Sequence, residues 1–239
     1  MTGGSFVWIR ELDNNQSANS TNYTDGYSYS QKGNTWAVAG LRDRNARRYS
    51  LELYADNNHN DLLASSSHEG VDLIVSDYNH ERQNNQHLQV LRSPFPGTEG
   101  YRLQYESGTE MLYPDGVVRA GSWQTSDVAR VWDLPLFGGE RVSFSLDVTS
   151  GNIDLGWALF RSNGGPYHAG RSAAVVEADR NGPGESEDTF EYTVPADDVY
   201  GLVIWSNNDE DGGYAIRIGE NRTTLLEETP VNSNFSLAL

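Results

Sequence analysis

Apolar and polar residues alternate with a period of two along most of this chain, and no stretch carries a sustained helical period. Successive side chains on a strand point to opposite faces, so this rhythm describes sheets with one buried face. Tyr49, Leu51 and Leu53 alternate with Ser50, Glu52 and Tyr54. Val71, Leu73 and Val75 alternate with Asp72, Ile74 and Ser76, and Tyr101, Leu103 and Tyr105 with Arg102, Gln104 and Glu106. Val142, Phe144, Leu146 and Val148 alternate with Ser143, Ser145 and Asp147. Residues 199–205 are almost continuously apolar, which predicts a central strand covered on both faces. Gly138-Gly139, Ser150-Gly151 and Asp211-Gly212-Gly213 separate such runs, as tight turns require. The chain is predicted to be all-β.

The two halves look like repeats. Residues 87–93 and 101–105 parallel 200–206 and 214–218; residues 70–76 parallel 152–158; residues 49–53 match 142–146. Their lengths differ by insertions at 55–68 and 163–188, which are expected in loops. The expected organisation is an N-terminal strand and polar linker over 1–34, and a first, divergent sandwich over 35–113. A linker over 114–124, a second sandwich over 125–220 and a tail or strand over 221–239 follow.

The formal charge of −17 argues against a nucleic-acid partner, which needs a basic face. The run 42–48 holds four arginines and reads as a solvated loop. With no cysteine, disulfides, thiolate metal sites and cysteine nucleophiles are excluded. No stretch is apolar enough to span a bilayer, and residues 1–10 lack the basic-then-apolar order of a signal peptide. Asn15, Asn19, Asn22, Asn221 and Asn234 head Asn-x-Ser/Thr sequons; they are candidate glycosylation sites or chance in an Asn/Ser/Thr-rich chain.

Val131-Trp-Asp-Leu, the pair Gly138-Gly139, the alternating run 141–148, Asp154-Leu155, the apolar run 199–205 and Gly213-Tyr214 occur in an order that resembles the bacterial pre-peptidase C-terminal domain. The resemblance covers about 125–220 well and 35–108 weakly. It implies two tandem jelly-roll-like antiparallel β-sandwich domains, similar to the collagen-binding domains of secreted collagenases. It also implies an accessory, adhesion or assembly module without catalytic residues. Some members of that family bind calcium, but their N-terminal acidic calcium segment is not evident in this chain.

Two acidic turns have alternating oxygen ligands. Asn207, Asp209 and Asp211, with Gly212 sixth, match the first half of an EF-hand loop, but its twelfth position is Ile218 rather than a carboxylate. Asp56, Asn58 and Asn60 share the spacing without the glycine. Both are candidate partial calcium sites or plain solvated turns. The five histidines show no ligand spacing and read as exposed loop residues. There is no Gly-x-Ser-x-Gly elbow and no phosphate loop, and the chain is expected not to be an enzyme. Most of the six tryptophans read as core, while Trp123, Tyr23, Tyr27 and Tyr29 can stack on sugars or a partner.

The leading expectation is a non-catalytic extracellular or cell-surface structural or interaction protein. Its terminal strands, Phe6, Val7, Trp8 and Ile9 at one end and Phe235, Leu237 and Leu239 at the other, either pair with neighbouring molecules to build a filament or complete their own sheets. The alternative is a carbohydrate- or matrix-protein-binding accessory module, with calcium as its conceivable ion. The expected partners are therefore protein or carbohydrate, with no membrane insertion.

Overall fold

The computed structural model describes residues 8–11, 16–20, 24–31, 33–43, 49–55, 60–78, 84–92, 100–108, 110–164 and 166–220 of the 239. The first half contributes β1 (Trp8–Glu11), β2 (Gln16–Ser20), β3 (Thr24–Gln31), β4 (Thr35–Asp43), β5 (Tyr49–Tyr54), β6 (Leu62–Ser66), β7 (Val71–Tyr78), β8 (Asn84–Arg92) and β9 (Tyr101–Ser107). The second contributes β10 (Asp115–Trp123), β11 (Ala129–Leu136), β12 (Arg141–Gly151), β13 (Leu155–Phe160), β14 (Tyr167–Gly170), β15 (Val176–Ala178), β16 (Glu187–Thr193), β17 (Asp198–Ser206) and β18 (Gly212–Glu220). One short 3-10 turn, Arg171–Ala173, follows β14.

The strands form four sheets. Sheet A runs β1-β3-β8-β5-β6, sheet B β14-β7-β4-β9-β2, sheet C β11-β17-β13-β15 and sheet D β10-β18-β12-β16. Pairing is antiparallel except where β1 lies parallel to β3. With β1 and β14 set aside, the two halves have one topology. The chain from β2 to β9 visits sheets B, A, B, A, A, B, A, B, and the chain from β10 to β18 visits D, C, D, C, C, D, C, D. The order β2-β9-β4-β7 maps onto β10-β18-β12-β16, and β3-β8-β5-β6 onto β11-β17-β13-β15. Each half is an eight-stranded jelly roll.

Three apolar layers join the four sheets. Tyr27, Tyr29, Leu51 and Leu53 of sheet A meet Ala39, Leu41, Leu103 and Tyr105 of sheet B. Phe144, Leu146 and Ile216 of sheet D meet Leu134, Trp157 and Ile204 of sheet C. Between the sandwiches, Trp36, Val38, Leu73 and Val75 of sheet B pack on Val131, Ala158, Phe160, Val203 and Trp205 of sheet C. Sheets B and C are thus covered on both faces, which explains the unbroken apolar runs of β13 and β17, all of whose residues from Tyr200 onward in β17 are buried. The outer strands β5 and β12 keep the alternation of half-buried sheets.

Several expectations need correction. The polar stretch 11–34 is no linker throughout: β2 and β3 lie in it, and Tyr27 and Tyr29 are buried between sheets A and B, not offered to a ligand. The segment 114–124 holds β10, which pairs with β18 from Asp115 to Trp123, and Trp123 is core. The repeat register holds for the last two strands of each half, but β5 corresponds to β13 rather than β12, and β7 to β16 rather than β13. Period-two alternation marks a strand without saying which sheet it joins. The insertion 163–188 is not all loop, since its β14 crosses to sheet B and pairs with β7. Trp8 and Ile9 lie in β1, beside β3 of the same chain; Phe6, Val7, Phe235, Leu237 and Leu239 lie outside the described residues.

Candidate functional site

The seam between sheets B and C is tied by polar groups as well as apolar ones. Arg42, next to last in β4, is nearly fully buried. Its guanidinium donates to the carbonyls of Thr125 and Asp127 at 2.9 Å and Ser206 at 3.1 Å, and to the carboxylate of Asp209. It is a cross-sandwich clamp rather than part of a solvated loop. Gln104 of β9 accepts the Val128 and Ala129 amides with its side-chain oxygen. Arg171 donates to the Val71 carbonyl at 3.0 Å, pairs with Glu177 and Asp179, and stacks on Trp205 at 4.2 Å.

The acidic turn after β17 is knitted into this frame. Asp209 pairs with Arg42 and lies 3.5 Å from Arg102, and Asp211 accepts the Thr125 amide at 2.6 Å. Asn207 donates its side-chain amide to Asp179 at 2.8 Å, and its backbone amide to the Asp154 carbonyl. Asn60 is exposed, while Asp56 and Asn58 lie outside the described residues. Among the described residues, no three acidic or histidine side chains stand close enough together to hold a metal ion. Asn19 falls in β2; Asn15, Asn22, Asn221 and Asn234 lie outside the described residues.

His168 is not on an exposed loop. It sits in β14 opposite Ser76 of β7, with Nδ1 2.8 Å from the Ser76 hydroxyl, and burial holds its pKa below the usual histidine value. Ser76 is fully buried, so this contact fastens β14 to β7 and offers no nucleophile to a substrate.

At one end of the seam the sheets part to leave a cleft of about 210 Å³. Trp36 opens β4 with its indole packed over Gly201 of β17 and donating to the Val199 carbonyl at 2.8 Å. A Cβ on Gly201 would fall 2.5 Å from the ring, so only glycine lets the sheets close here. The Trp36 amide donates across the seam to Asp133 Oδ1 at 2.9 Å. Asp133 is 7% exposed and belongs to β11, directly opposite Gly201. Among the described residues no hydrogen bond reaches its Oδ2, and Asp133 is one of the residues lining the cleft.

Asp77, beside Trp36 in sheet B, and Asp198, at the start of β17, supply further carboxylates to the walls. Asp198 accepts the Asn163 and Val199 amides at 2.9 Å and lies 3.4 Å from the Arg161 guanidinium. Met111 and Val199 give the rim apolar surface, and both are more than a third exposed. Burial, with a smaller push from the Asp77 charge against the pull of the Trp36 amide, raises the Asp133 carboxyl to about 6. A carboxyl lining a cleft, protonatable near neutrality and with one oxygen not hydrogen-bonded among the described residues, can accept a donor or a cation. The sequence shows Asp133 inside the quoted Val131-Trp-Asp-Leu motif, but nothing local says that its face meets another sandwich.

No protein-family model matches the chain, and no curated protein does. Among solved structures it is similar to the pre-peptidase C-terminal domain of a Bacillus anthracis collagenase, at 16% identity and a TM-score of 0.36, over 46% of this chain and 92% of that one. It is also similar to the tandem CBM22 domains of a Paenibacillus barcinonensis protein, at 10% identity and a TM-score of 0.25, over 81% and 82% of the two chains. The tandem CBM51 modules of a Streptococcus pneumoniae family 98 glycoside hydrolase match at 9% identity and a TM-score of 0.23, over 80% of each chain. Likenesses this remote say nothing of function.

Proposed function

We propose that this is a non-catalytic interaction protein that works outside the cell and takes its ligand in the seam cleft. One observation carries the reading: Asp133, 7% exposed and hydrogen-bonded through Oδ1 alone among the described residues, lines a cleft with an apolar rim on strands fixed by the seam. Sites held on packed strands need little reorganisation on binding. The pre-peptidase-type resemblance of 125–220 fits the same reading, as an accessory module, and carbohydrate or matrix protein is its general partner class. Arraying the full chain against immobilised glycans and extracellular-matrix proteins, beside an Asp133→Asn variant, tests it. Binding that weakens in the variant supports the cleft; binding unchanged by the substitution places the activity elsewhere. A calcium ion at the 207–211 turn would have to draw Asp209 away from Arg42, and calorimetric titration with calcium decides that point.

A second reading, assembly through strands, draws on β10. This nine-residue strand edges sheet D, and Val117 and Val118 on it are 53% and 59% exposed. An apolar edge of this length suits strand addition by the alternating segment with Phe235, Leu237 and Leu239 of another copy. Light scattering on the full chain and on residues 1–220 tests this: a full chain that stays monomeric sinks it.

A further inference from the structure

We propose that the seam cleft receives a basic side chain, lysine or arginine, presented by a protein partner. The inference rests on the reading that the cleft is the ligand site, and it names what the ligand must carry. The walls are amphipathic in the way a basic side chain is: Met111 and Val199 offer exposed apolar surface to an aliphatic stem, and Asp133 supplies a carboxylate for its charged head. Among the described residues, the side chains lining the cleft include three carboxylates and no arginine, lysine or histidine.

Other occupants fit less well. A bare metal ion needs three or more donors converging on one point, and no acidic or histidine group among the described residues does so. A neutral sugar would satisfy Asp133 Oδ2 with a hydroxyl but would seal the ionised Asp133 under a neutral ligand, which costs desolvation without an opposite charge. An ammonium or guanidinium supplies both the donor and the charge. The chain's charge of −17 also draws cationic partners towards it from a distance.

The charged groups around the site set its pH response. Among the described residues that line it they are Asp133 on β11, Asp77 on β7, and Asp198 on β17 with its partner Arg161. Asp133 must be ionised to hold a cation, and its carboxyl titrates at about 6. Affinity is therefore full above that value and falls away below it.

The test uses the full chain with Nα-acetyl-lysine amide and Nα-acetyl-arginine amide as probes, followed by NMR. The neutral Nα-acetyl-norleucine amide, Nα-acetyl-citrulline amide and a set of neutral oligosaccharides serve as controls. The expected result is a shift of the Trp36 backbone and indole signals with the basic probes alone, at least tenfold weaker in Asp133→Asn and weaker at pH 5 than at pH 7.5. Thermal unfolding checks that Asp133→Asn is folded; its amide oxygen can still accept the Trp36 amide. Met111→Arg, at an exposed rim position, places a guanidinium beside the cleft and is expected to block both probes. Neutral controls that shift the same signals equally overturn the cationic ligand while leaving the cleft a binding site. Cleft signals unmoved by any probe overturn both.

Discussion

Arg42 and Asp133 face each other's sandwich from β4 and β11, and each connects a local accident of sequence to the whole assembly. Arg42 gives its hydrogen bonds to three carbonyls and one carboxylate of the second half. Arg42→Met keeps the stem but strands those acceptors in the seam; the expected cost is about 3 kcal/mol, read from the urea midpoint. From sequence alone Arg42 belongs to an arginine-rich run and looks solvated, because charge says nothing about destination. Asp133 is equally opaque. It alternates with Trp132 and Leu134, so its position in a strand is legible, but its polar phase would normally mean solvent. Tyr27 and Tyr29 mislead in the opposite way, since Ser, Thr and Asn around them hide a strand whose aromatic phase is core.

At the scale of elements, the sequence distinguishes central from outer strands better than it pairs them. The solid apolar runs of β13 and β17 announce sheets covered twice, and the alternation in β5 and β12 announces sheets covered once. Pairing depends on contacts distant in the chain, so an error of a strand or two in matching the repeats leaves every local pattern intact. The contact of β4 with β17 is of this distant kind, where Trp36 lies on Gly201. Gly201→Ala is expected to destabilise the protein by about 1–3 kcal/mol through overpacking. Its mark should be a loss of Trp36 indole protection in hydrogen exchange, because the ring must lift from the Val199 carbonyl. A variant with unchanged protection and stability would contradict the described packing.

For the whole molecule, buried carboxylates carry an electrostatic cost. Burial raises Asp72 to about 6, Glu106 to about 7 and Asp133 to about 6. Folded protein therefore holds protons that unfolded chain has released between about pH 4 and 7, and stability from these groups falls as pH rises through that window. Half-buried His68 and His168 are shifted down by desolvation and act the other way below their ordinary value. Comparing wild type with Glu106→Gln isolates one term: the variant should gain on the wild type by on the order of 1–3 kcal/mol between pH 5 and 7.5. A gap independent of pH would refute it.

The two jelly rolls share a topology but do not meet through equivalent faces. Sheet B of the first packs on sheet C of the second, and sheet C corresponds to sheet A, so the contact is head-to-tail rather than two-fold. The free outer faces do not repeat it: sheet D presents Ser143, Ser145, Asp147 and Arg217, and sheet A presents Ser28, Ser50 and Glu52. Divided within 108–111, the chain becomes a plug and a socket, each lacking the shape to match itself. Mixed as separate fragments, the halves are expected to complement one another in a one-to-one complex that restores Trp36 and Trp205 emission, while each alone aggregates or stays loosely folded.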